Sequence, residues 1–210
     1  MKPAFRLVLG AALCLFLTSC VTNSVNPLSS PDTAKADPRL VGDWLGQDQE
    51  KFHFSVTNGA WMHVVITPEP TDAADRPSMI DNKPEEYDLF PSVIGKNTFL
   101  NVVMLGKDDK GNPTKTYVFI RYKFSGDDIL NMWTLSQDLP AAAIRAGKLK
   151  GLVKQNDLTL SQPARPDVDV TLQDTSANIV KFIQNSNIDD LFKDKMNPLN
   201  RVKPAGKQSP

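Results

Sequence analysis

Between positions 40 and 173 the chain alternates apolar and polar residues in short runs that read as β-strands. The runs are LVGDWLG (40–46), KFHFSVT (51–57), AWMHVVIT (60–67), EYDLFPSVI (86–94), TFLNVVML (98–105), KTYVFIRYKF (115–124), ILNMWTLS (129–136) and DVTLQ (169–173). Turn residues separate many of them, as at Thr57-Asn58-Gly59, Gly95-Lys96-Asn97, Lys110-Gly111-Asn112-Pro113 and Ser125-Gly126-Asp127-Asp128. Many short strands joined by tight turns predict a mainly β, antiparallel meander of about eight strands. A small core with no edge to spare favours its closure into a barrel. Pro91 lacks an N–H for the ladder, so its strand is expected to be irregular or bulged there.

Two short helices are predicted in the C-terminal half. In SQDLPAAAIRAGKL, Asp138 suits an N-cap, Pro140 the first turn and Gly147 the C-terminal stop. In QDTSANIVKFIQNSN, Asp174 or Thr175 can cap a helix whose Ile179, Phe182 and Ile183 share one face, with Val180 on its flank. That stripe reads as core packing.

The hairpin KFHFSVTNGAWMHVVIT allows two registers. A two-residue Asn58-Gly59 turn pairs Val56 with Trp61 and places His53 and His63 on opposite faces. A three-residue loop, Thr57 to Gly59, pairs Val56 with Ala60, Phe54 with Met62 and Phe52 with Val64, leaving one face wholly apolar. A one-residue slip reverses the faces, so the apolar pattern selects the second register. It sets His53 and His63 directly opposite each other on the outer face, as candidate ligands for zinc or copper. Two ligands make a weak site, and the expectation is a surface pair with no bound metal.

The first residues differ in kind. Lys2 and Arg6 precede an apolar run, Leu7 to Leu17, that would cover only about 16 Å as a helix, roughly half a bilayer core. It has the dimensions of a secretory h-region. The run ends in Leu17-Thr18-Ser19-Cys20, which resembles the lipobox of bacterial lipoproteins. The resemblance implies a signal peptide over 1–19, cleavage between Ser19 and Cys20, and acyl chains on Cys20 that anchor the mature chain stably once two or more are present. Val21 follows the cysteine, and lipoproteins of this type without an Asp there tend towards the outer membrane, so localisation at the outer membrane facing the periplasm is expected. Cys14 leaves with the leader and Cys20 is consumed by lipid, so no disulfide, Cys-ligated metal or thiol nucleophile is expected in the exported domain.

Composition adds boundaries. Residues 20–38 carry Ser, Asn, Pro and Asp with scattered apolar positions and read as a lipidated, flexible tether, about 18 residues spanning roughly 20–25 Å. The folded domain is expected over 39–192, and the Pro- and Lys-rich end, 193–210, reads as a disordered tail. The chain holds 24 Lys and Arg against 24 Asp and Glu, so nothing suggests nucleic acid as a partner. Arg145, Lys148, Lys150 and Lys154 gather near the end of the first helix, where cations complement the helix dipole or meet anionic headgroups.

Gly42-Asp43-Trp44 at the first strand resembles the G-x-W that opens lipocalin barrels. The resemblance implies a lipocalin-like barrel over about Leu40 to Phe192 in which Gly42 permits close backbone approach and Trp44 plugs one end. No arginine on a last strand is identified to stack over Trp44, and Gln173-Asp174-Thr175 only faintly echoes the lipocalins' T-D-Y motif.

Catalytic chemistry finds little support. Nucleophilic catalysis needs a base beside its nucleophile, and the chain has only His53 and His63 and no G-x-S-x-G elbow. The acid pairs Glu85-Glu86, Asp108-Asp109, Asp127-Asp128 and Asp189-Asp190 fall at turns and element ends, where carboxylates act as solvated turn formers. DDKGNP lacks the alternating acids and distal Glu of a calcium loop. The sequence thus predicts a non-enzymatic, cofactor-free envelope lipoprotein, held to the membrane by its lipid, whose barrel binds an apolar small molecule or lipid. The alternative is a structural or protein-interaction module of an envelope assembly, with a filled barrel.

The lipobox carries a direct test. Cys20→Ala is expected to abolish incorporation of radiolabelled fatty acid while leaving the domain folded; label persisting on the alanine variant would contradict the anchor.

Overall fold

The computed structural model describes residues 22–47, 49–68, 83–108, 110–155 and 168–203. The expected signal peptide (1–19), its cleavage pair Ser19 and Cys20, and residues 204–210 of the expected tail lie outside them. The barrel strands are β2 (Gly42–Leu45), β3 (Lys51–Asn58), β4 (Trp61–Thr67), β5 (Glu85–Ile94), β6 (Asn97–Lys107), β7 (Pro113–Ser125), β8 (Ile129–Thr134) and β12 (Leu199–Arg201). Each pairs antiparallel with its neighbour, and β12 pairs with both β8 and β2, closing an eight-stranded barrel. The eighth barrel strand is therefore not the run at 169–173.

That run forms β10 (Val168–Leu172), which joins β1 (Asn23–Ser24) and β9 (Gly151–Gln155) in a side sheet. The side sheet departs from the barrel where β1 pairs with the first half of β7, at Tyr117 and Val118; the second half of β7 turns to β8 instead. Over this junction pack α1 (Asp138–Arg145), α2 (Ser176–Asn185) and α3 (Ile188–Leu191), followed by the short β11 (Asp194–Lys195) against β8. The third helix, in Asn187-Ile188-Asp189-Asp190-Leu191, has one buried residue, Leu191, and too few apolar positions to register as a period.

Alternation divides the apolar residues between two cores. Inward residues such as Leu100, Val102, Val118 and Tyr122 fill the barrel. Their outward neighbours Phe99 and Phe119 join Leu135, Val170, Leu172, Ile179 and Ile183 beneath the helices. Both faces of β6 and β7 are thus buried in part, which explains why these strands are apolar almost throughout. Asn101 is the polar exception, fully buried on the outer face. Its amide donates to the Phe90 carbonyl (3.1 Å) and the Ser92 hydroxyl (2.7 Å), and its carbonyl accepts from the Leu28 N–H (2.8 Å).

Leu28 belongs to the segment expected to be a loose tether. Residues 22–38 instead run as a strap along the barrel wall, with Thr22, Ser24 and Leu28 buried. Isolated apolar and small residues suffice here because the barrel supplies the partners. The other end is also corrected: Asp194–Lys195 and Leu199–Arg201 are strands, and Leu199 is buried in the barrel core. Low apolar content misled in both cases, since a short strand needs only edges to bond.

Local signals fare differently. Around α1 the N-cap is Gln137, one residue before the expected Asp138, and Gly147 ends the helix at φ +69°. The Gly147 N–H bonds the Ile144 carbonyl and the Lys148 N–H the Ala143 carbonyl, a Schellman closure that a Cβ would strain. Thr175 caps α2 by accepting from the Asn178 N–H (3.3 Å), and Ile179 and Ile183 are its buried face. Pro91 produces no register shift: it pairs with Leu100 just beyond Leu89, the last β5 residue to pair with β4.

Asp174 ties the side sheet to the helices. Its carboxylate accepts from the Lys150 N–H (2.9 Å), the Asn178 amide (2.7 Å) and its neighbour Thr175 N–H (2.8 Å), while its carbonyl accepts from Asn26 in the strap (2.8 Å). The bond from Lys150, then that from Asn178, hold its pKa below the usual carboxylate value. A lowered folded pKa contributes stability above the unfolded value, lost as pH falls through the folded one. Asp174→Asn is therefore expected to cost about 1–3 kcal/mol near neutrality and to flatten the acid limb of stability below about pH 4. Denaturant midpoints across that range measure both effects.

Candidate functional site

Gly42 begins β2 at φ +116°, a region that favours glycine, and a Cβ there would meet Nη1 of Arg201 at 3.5 Å. Two residues on, Trp44 is fully buried and donates its indole N–H to the Leu40 carbonyl (2.7 Å). The Arg201 guanidinium lies 4.1 Å from the Trp44 ring centroid. It donates to the carbonyls of Asp127 (2.9 Å), Val41 (3.0 Å) and Arg39. The stacking arginine expected to be missing is thus present, on the three-residue β12. The sequence hid it inside a stretch that reads as tail.

The same barrel end holds an ion pair. Asp37 accepts from the Tyr122 hydroxyl (3.0 Å) and pairs with Arg39 (2.8 Å), whose guanidinium lies 4.6 Å from the Phe124 ring centroid. Burial pushes the Asp37 carboxyl up, but bonds from the Arg39 side chain and N–H and from Tyr122 outweigh it and leave the pKa lowered. Burial, with the adjacent Asp37 charge, raises the Tyr122 phenol well above its ordinary value, so it stays a donor. Leu40 completes the plug as a fully buried member of the barrel core.

Behind the plug every barrel strand contributes buried inward side chains: Trp44, Phe52 and Phe54, Met62 and Val64, Leu89, Leu100 and Val102, Val118 and Tyr122, Leu130 and Met132, and Leu199. They form one continuous apolar cluster. An eight-stranded barrel is narrow enough for side chains of this size to fill.

His53 and His63 share the outer face, as the apolar pattern requires, but in a different register. Asn58 pairs with Trp61, and a bulge between Val56 and Asn58 then sets Val56 opposite Met62 and Phe54 opposite Val64. His63 faces Ser55 and His53 faces Val65, so the two rings are not directly opposed. A shift of two residues keeps every side chain on its face, and burial could not distinguish the two registers. Each histidine meets acids instead: His53 Nδ1 lies 2.6 Å from Asp43, while His63 Nδ1 lies 3.0 Å from Asp88 and Nε2 3.5 Å from Glu86. Among the described residues no group of three or more His, Cys, Asp or Glu is placed to hold a metal ion.

Where the strap passes the β3–β4 turn it leaves an open cleft of about 550 Å³. Pro31, Asp32 and Lys35 line one side, and Asn58, Ala60 and Trp61 the other. Trp61 meets Phe90 edge-on at 4.9 Å, and the Lys115 ammonium lies 5.3 Å from its ring centroid. The sequence did not single out this site, because it forms between segments far apart in the chain. Of the basic residues near α1, Arg145, Lys148, Lys150 and Lys154 are all exposed, and Lys154 stands across the side sheet from Asp169.

Trp44→Ala removes a large buried ring and is expected to cost ~3–5 kcal/mol. Arg201→Lys keeps the charge but loses the planar stack and fork, at about 1–3 kcal/mol. Because the two side chains touch, the double variant should cost less than the sum, which a denaturation cycle measures. Strict additivity would mean that the stack contributes nothing.

Comparison of the chain with protein-family models, with curated proteins and with solved structures finds no match, so the barrel and its plugged end rest on the geometry above.

Proposed function

We propose that the protein is a non-enzymatic envelope lipoprotein, anchored through acyl chains on Cys20 at the periplasmic face of a bacterial outer membrane, and that its barrel is a docking module for another envelope component. The observation that favours this reading over a ligand cup is the buried apolar cluster contributed by all eight barrel strands. Trp44, Phe52, Phe54, Met62 and Leu100 all belong to that one cluster, in keeping with an interior occupied by the barrel's own side chains. The lipobox at 17–20 supports the anchor.

The cleft beside Trp61 favours a second reading. Its volume, about 550 Å³, lies within the range of small-molecule sites, roughly 300–1,000 Å³, and it joins an aromatic wall to Asp32, Lys35 and Asn58. An apolar small molecule or lipid would then be held outside the barrel.

Native mass spectrometry of the detergent-extracted protein separates these readings. The docking role predicts the acylated chain with no further small-molecule mass. An added mass lost on Trp61→Ala would establish the cleft as a ligand site. An added mass retained in that variant and lost on Leu100→Trp would place a ligand inside the barrel and overturn the proposal.

A further inference from the structure

The strap alters what a lipid on Cys20 would do. Thr22 is fully buried and its hydroxyl donates to the Ser136 carbonyl (3.4 Å). Asn23 and Ser24 are held between β7 and β10, and the Val25 N–H bonds the Leu172 carbonyl (2.9 Å). Farther on, Asn26 and Leu28 are bonded to Asp174 and Asn101. The chain is therefore already held to the domain at Thr22. Two residues of fully extended chain reach about 7 Å, so Cys20 lies within that distance of Thr22 whatever path it takes. A free tether of roughly 20–25 Å is replaced by a link shorter than a strand of average length.

We infer that the domain is seated directly on the bilayer in one orientation, with the surface around Thr22 against the headgroups; this rests on the reading that Cys20 carries the lipid. The surface includes the start of α1, where Leu139 is exposed beside the ion pair of Asp138 with Lys193 (2.5 Å). It also includes the β9–β10 end, because β1 runs parallel to β10 and its upstream direction leads towards Val168. There Asp169 stands opposite Lys154. Among the described residues, Asp138 is paired with Lys193 and Asp169 stands across the ladder from Lys154, so at these two positions a cation accompanies the carboxylate that would face anionic headgroups. The β6–β7 turn points the other way. Asn23 is level with Val118 on the antiparallel β7, which puts Thr22 near the level of Phe119. From Phe119 to Asn112 is seven residues of chain, about 23 Å.

Energy transfer from single labels to a headgroup-labelled lipid tests the orientation. The lipid caps Cys20, so Leu139→Cys or Asn112→Cys supplies the one reactive thiol of the mature chain. In vesicles of phosphatidylethanolamine and phosphatidylglycerol, the label at 139 is expected to transfer at least twice as efficiently as the label at 112. Inserting about 20 Gly and Ser residues between Val21 and Thr22 should bring both to one low value. Equal efficiencies before the insertion, or no change after it, would overturn the inference. Intact mass of the same sample reads the anchor separately. Acyl chains present with equal efficiencies sink the orientation alone, whereas an unacylated Cys20 sinks both.

Discussion

Closure of the barrel is the constraint on which the rest depends. Seven strands from β2 to β8 follow one another as a meander, and without an eighth they would leave two open edges lined with unpaired backbone groups. The missing strand is β12, three residues close to the end of the chain. So short a strand has few ladder bonds of its own. Arg201 supplements them, laying its guanidinium on Trp44 and bonding the carbonyls of Val41 and Asp127 from either side of the seam. Gly42 supplies the positive φ, +116°, with which β2 begins beside that stack.

The strap and the closing strand are both consumed in this construction. The strap delivers Asp37, Arg39 and Leu40 to the barrel end that Trp44 plugs, and the closing strand delivers Arg201 to the same place. Before reaching it, the strap also covers the outer wall through Leu28, Ser29 and the bonds to Asn101 and Ser92. The helices cover another part of that wall, over Phe99 and Phe119. One sheet therefore serves two cores, and β6 and β7 are the shared wall between them.

These arrangements were legible in the sequence to the extent that they are local. Alternation located all seven meander strands, and Gly147 and Thr175 marked helix ends by chemistry that acts within a turn. Gly42-Asp43-Trp44 pointed to the plug. The hairpin register was not legible, since a two-residue offset preserves the inward set Phe52, Phe54, Met62 and Val64. Nor were the strap and β12. Their residues are polar, Pro-rich and short of apolar content, and they are ordered by partners more than seventy positions away, as Leu28 is by Asn101 and Arg201 by Val41. The cleft beside Trp61 belongs to the same class, created by the strap's passage over a turn.

That β12 closes and locks the barrel is tested most directly by the unfolding of a chain truncated after Met196. Such a chain keeps every meander strand, the helices and β11, and loses β12 with its flanking residues. Closure by β12 predicts loss of the single cooperative denaturant transition and of the near-ultraviolet circular dichroism contributed by a rigid Trp44. A truncated chain that unfolds cooperatively at the full-length midpoint would contradict it.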